Sequence, residues 1–136
     1  AGRYWKHGWL EGTPENKNKS LRDTKLHLSE LIPTEPGGTN SGQALYEAIK
    51  FKETDVIYFI TDGHPTEGET RVESILRRVR WINNNNIIIN SIMVGLPGTT
   101  INQYGGVVFE PTANPKELYD FLHDLAEQNG GVYVGR

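Results

Sequence analysis

Two mainly apolar stretches, DVIYFI (residues 55–60) and IIINSIMVG (87–95), most restrict what this chain can fold into. Each is short, rich in β-branched or aromatic residues and bounded by polar turn residues. Each therefore reads as a strand with apolar side chains on both alternating faces, written for the interior of a sheet. Between them, TRVESILRRVRWINN places Val72, Ile75, Leu76, Val79 and Ile82 at helical spacing, with Thr70 and Glu73 as an expected capping box. Strand, helix and strand in that order predict a parallel pair joined by a crossover.

The same alternation continues on either side. Thr13 as N-cap and Pro14 at the first helical position open a helix with Leu21, Leu28 and Leu31 on one stripe, and Pro33 ends it. A second helix follows the turn GGTNSG and presents Leu45, Ala48 and Ile49 on one side. Asn114, Pro115 and Glu117 open a last helix that carries Leu118, Phe121, Leu122 and Leu125 and stops at Gly130; GVYV then closes the chain as a strand expected beyond residues 87–95. The long loop GLPGTTINQYGGVVFEPTA contains a short strand at residues 107–109, and the four asparagines at 83–86 form a turn. The expected class is α/β, a Rossmann-like three-layer sandwich with a mainly parallel sheet and helices on both faces, within one domain over residues 1–136.

Composition removes several function classes. The 14 basic and 17 acidic residues, net −3, are spread along the chain with no basic block, which argues against nucleic acid as the main partner. There is no cysteine, so disulfides, thiolate metal sites and cysteine nucleophiles are excluded. No apolar run approaches the roughly 18 to 20 residues of a membrane span.

In parallel α/β sheets, ligands collect at the carboxyl ends of the strands. Asp62 stands just past DVIYFI, and Thr39 and Ser41 lie at the start of the second helix, so hydroxyl and carboxylate oxygens are expected on one rim. Such donors suit a hard cation, Mg²⁺ or else Mn²⁺ or Ca²⁺. The competing reading makes Thr39 and Ser41 helix caps and Asp62 a turn residue. His64 has no nucleophile paired with it in sequence, so catalysis is not expected there. Tyr4, Trp5 and Trp9 read as core aromatics, and the arginines of RRVR (77–80) as a solvated helix face.

GGTNSGQALYEAI (37–49) followed by DVIYFITDGHPTEGE (55–69) resembles the second and third motifs of the von Willebrand factor A domain, and IIINSIMVG and FLHDLAEQNGGVYVGR resemble later strands and the last helix of its bacterial members. The resemblance implies a metal-ion-dependent adhesion site with Thr39 as a direct ligand and Asp62 as a carboxylate acting through water. It also implies a protein partner that offers a carboxylate to the metal, no catalysis, and a location at the cell envelope or outside. The family's first motif, Asp-x-Ser-x-Ser, does not occur here. The chain therefore resembles the C-terminal portion of the domain, and the cofactor is expected only where another segment supplies the missing ligands. A neighbour for strand 55–60 is likewise expected from the missing N-terminal part or from another chain. A metal-dependent hydrolase or phosphotransferase on a similar sheet, and a metal-free scaffold, are the alternatives.

Overall fold

The computed structural model describes residues 9–30, 38–51, 53–94, 99–101, 107–109 and 114–135. Tyr4, Trp5, Pro33 and most of the loop after residue 94 lie outside them. The chain divides into two compact units, Ala1–Gly37 and Gly38–Arg136.

The first unit contains α1 (Pro14–Glu30). Thr13 caps it as expected: its hydroxyl accepts from the Asn16 backbone N–H at 3.2 Å. Leu21 and Leu26 on this helix are exposed, as is Trp9 ahead of it. Trp9 thus departs from the expectation of a core aromatic.

The second unit runs α2 (Ser41–Lys50), β1 (Val56–Thr61), α3 (Val72–Ile82), β2 (Ile88–Met93), β3 (Thr99–Ile101), β4 (Val107–Phe109), α4 (Pro115–Gln128) and β5 (Tyr133–Val134). β1, β2 and β5 form a parallel sheet in that order, in register Val56 with Ile88 through Thr61 with Met93. β4 falls where the sequence predicts a short strand, and pairs antiparallel with β3, which the sequence does not announce.

Local chemistry explains the boundaries. Asn40 caps α2 by accepting from Gln43 N–H, and Asn114 caps α4 by accepting from Lys116 N–H, with Pro115 at the first turn. α3 starts later than the Thr70 capping box predicts: Arg71 is the N-cap and makes no side-chain cap bond, while Glu69 Oε1 accepts from the Arg71 N–H at 3.0 Å. In the asparagine turn, Asn83 donates to the Ile87 carbonyl and accepts from the Ile87 N–H, both at 2.8 Å, and so ties the end of α3 to the start of β2.

Leu45, Ile49, Ile75, Val79, Leu118, Phe121, Leu122 and Leu125 from α2, α3 and α4 form one core with Ile87 and Ile89, and Ile57, Phe59, Met93 and Tyr133 pack against it. Alternation along a strand sends the neighbouring side chains to the other face. There Val56, Tyr58, Ile60, Ile88 and Val134 are exposed, Tyr58 by 67% and Ile60 by 59%. The expected burial of DVIYFI on both faces is thus met on one face only. Pattern alone cannot distinguish a strand that is covered on both sides from one that is merely written to be.

Candidate cation-binding rim

β1 delivers Asp62 to the carboxyl end of the sheet, where it is exposed in the turn that follows Thr61. The Thr61 hydroxyl shapes this turn, accepting from the Gly63 N–H at 3.3 Å and lying 3.1 Å from the Gly63 carbonyl. Thr39 immediately precedes the N-cap of α2 and is half-buried.

Backbone hydrogen bonds join the two segments. The Thr39 N–H donates to the Thr66 hydroxyl at 2.7 Å, and the Thr39 carbonyl accepts from the N–H groups of Thr66 at 2.8 Å and Glu67 at 3.2 Å. Glycines permit this approach. A Cβ at Gly38 would meet the Glu67 side chain, and Gly68, at φ +68°, lies so close to the Asn40 side chain that a Cβ would come within 2.7 Å of its Oδ1. The loop after β1 also reaches α4: His64 Nε2 lies 2.9 Å from the Asn114 carbonyl oxygen. A carbonyl can only accept, so Nε2 is the donor in this contact.

The structure therefore brings the Thr39 segment to the loop that begins at Asp62, with His64 tied off to a neighbouring helix cap. Among the described residues, neither the Thr39 hydroxyl nor the Asp62 carboxylate makes a hydrogen bond or ion pair. Ser41 differs from its expected place on the rim, because its side chain is buried with the hydroxyl unpartnered among the described residues. Two residues given no role from sequence enter the site. Thr66 bridges the loops, and Glu67 sets a carboxylate beside Gly38. Both stand in the quoted stretch 55–69, but their roles depend on a contact across 27 residues that spacing does not encode.

Away from the rim, His123, Asp124 and Glu127 on α4 bring one potential ligand atom each within 4.8 Å of one another. These side chains are largely exposed, with His123 Nδ1 at 3.8 Å from both carboxylates.

No protein-family profile matches the chain. It is 24% identical over 142 residues to mouse inter-alpha-trypsin inhibitor heavy chain H2, an alignment covering 96% of this chain and 12% of the relative. It is 26% identical over 144 residues to mouse inter alpha-trypsin inhibitor heavy chain 4, covering 90% of this chain and 14% of the relative. The chain thus spans about an eighth of the length of these relatives. Among solved structures, an aerotolerance-related membrane protein from Bacteroides fragilis superposes with a TM-score of 0.53 at 22% identity, over 85% of this chain and 61% of that one. The architecture defines an α/β Rossmann-like protein built on a parallel sheet. The likeness to these proteins supports a von Willebrand factor A-like domain.

Proposed function

We propose that this chain is a protein-binding module of the adhesion type, in which the rim between Thr39 and Asp62 takes a divalent cation and the cation takes a carboxylate from the partner. The observation that carries this reading is the hydrogen-bonded junction between the Thr39 segment and the Asp62–Glu67 loop, beside two oxygen donors that no described residue engages. Hydroxyl and carboxylate oxygen donors favour Mg²⁺, or else Mn²⁺ or Ca²⁺. Thr39 would supply a direct ligand and Asp62 a carboxylate acting through water; bound there, the ion gives a partner carboxylate an electrostatic anchor. Two such oxygens are few for Mg²⁺, so further ligands come from another segment or chain, and the site is weak without them.

In this proposal residues 1–136 belong to one domain of this class and form its C-terminal portion; the alignment to heavy chain H2 runs over 96% of the chain. The segment that completes the metal shell, or a second chain, also lies beside β1 in this proposal. In this proposal the module performs no reaction of its own, in keeping with a His64 Nε2 engaged by the Asn114 carbonyl and, among the described residues, no hydroxyl hydrogen-bonded to the ring. A structural neighbour described as a membrane protein supports placement at the cell envelope or outside it. No described helix is long and apolar enough to cross a membrane.

Paramagnetic Mn²⁺ titrated into the isotopically labelled chain tests the site. Amide signals of residues 38–41 and 61–67 should broaden first, and Asp62→Asn should remove that broadening while the rest of the spectrum holds. Broadening confined to the His123, Asp124 and Glu127 cluster, or unchanged by Asp62→Asn, would place the cation elsewhere.

A further inference from the structure

The apolar stripe of α3 is spent on the core through Val72, Ile75 and Val79. The successive turns of its other side carry Ser74, Arg77, Arg78 and Trp81, with Asn84 just past the helix end, at spacings of three and four that stack them along one stripe. Trp81 is 81% exposed, more than any other large apolar side chain described. With Arg80, these residues line a shallow groove of about 560 Å³.

The cations of this face are available. Among the described residues no ion pair engages Arg77, Arg78 or Arg80. Arg78 is nonetheless fixed, because its guanidinium sits 4.3 Å from the ring centroid of buried Tyr46. A cation held over an aromatic face keeps its N–H edge free to bind a carboxylate. Arginine and tryptophan are the residues most enriched where protein partners bind strongly, and an exposed indole beside arginine stems offers an apolar seat ringed by positive charge.

We infer that this face of α3 is a docking surface for an acidic protein segment that seats one aromatic or aliphatic side chain against Trp81 and pairs its carboxylates with Arg77, Arg78 and Arg80. The local charge of this face is positive on a chain whose net charge is −3, which favours an acidic partner here. Its span, about 15 Å along the helix at 1.5 Å per residue, suits a short peptide. Anionic membranes and nucleic acids recruit larger basic clusters than three arginines. The surface is separate from the Thr39 and Asp62 rim and does not depend on a metal.

A random dodecapeptide phage library panned on the immobilised chain tests this directly. Enriched peptides should be net negative with an aromatic or large aliphatic residue, and a labelled synthetic copy should shift the amide signals of residues 74–84. Its affinity should fall about tenfold or more in Trp81→Ala and in Arg77→Glu/Arg80→Glu, fall with added salt, and stay unchanged in Arg22→Glu. Circular dichroism of each variant separates lost binding from lost fold. Enrichment of neutral or basic peptides, binding indifferent to Trp81→Ala, or a stronger response to phosphatidylserine vesicles or single-stranded DNA than to the peptide would overturn the inference.

Discussion

On one face of the sheet, Ile57, Phe59, Ile89, Met93 and Tyr133 lie against the helices α2, α3 and α4; on the other, Val56, Tyr58, Ile60, Ile88 and Val134 are also apolar or aromatic and remain exposed. The two sets alternate along the same strands, so propensity and composition cannot separate them. What differs is the partner. One face is covered by helices of its own unit, and the other is an apolar patch of the kind that marks an interaction surface. The strand edge follows the same division. Ile88 N–H donates to the Asp55 carbonyl and Val94 N–H to the Thr61 carbonyl, which sets Asp55, Ile57, Phe59 and Thr61 as the residues bonding toward β2. In a parallel ladder the intervening Val56, Tyr58 and Ile60 then aim their backbone groups at the outer edge, where no described strand pairs with them.

Substitutions can break this comparison. The largest effect is expected on the covered face, where Phe121→Ala should lower unfolding free energy by about 3 to 5 kcal/mol in urea titrations, because Phe121 is 1% exposed and its loss leaves a cavity. Ser91→Ala should cost less, about 1 to 3 kcal/mol. Its hydroxyl donates to the Leu122 carbonyl at 2.6 Å and ties the sheet to α4, and methyl replacement strands that link in a dry site. Gly68→Ala should cost about 1 kcal/mol through its left-handed backbone and should also weaken Mn²⁺ broadening, since the added Cβ pushes at the Asn40 side chain beside Thr39. Smallest of all, Tyr58→Ala on the open face should change stability by less than about 0.5 kcal/mol. A loss from Tyr58→Ala equal to that from Phe121→Ala would show that the open face is covered in the isolated chain.

Much of the fold is legible from local chemistry. Thr13 with Pro14, Asn40, and Asn114 with Pro115 mark helix starts; the asparagine turn and the order of β1, β2 and β5 follow from sequence pattern. Less legible are features settled by contacts between distant residues. The start of α3 moves because Glu69 binds the Arg71 N–H, and the Ser41 hydroxyl is buried rather than presented on the rim. Thr39 and Asp62 are readable as donors, but the hydrogen bonds from Thr39 to Thr66 and Glu67 that bring their segments together are not. Nor does apolar alternation reveal which face of β1 is covered, since both are written for burial.

The central proposal is that β1 is an interior strand whose second neighbour is another segment or another chain. Amide hydrogen exchange across β1, followed over a concentration series alongside sedimentation, tests it most directly. Ile57, Phe59 and Thr61 amides bond to β2 and should exchange slowly throughout. Val56, Tyr58 and Ile60 amides should gain protection as the chain associates edge to edge at rising concentration, because an open, flat, apolar edge recruits a strand. A chain that stays monomeric at every concentration, with those three amides exchanging fast throughout, would contradict a second chain as that neighbour, and fast exchange persisting when the completing segment is added as well would contradict the interior placement of β1.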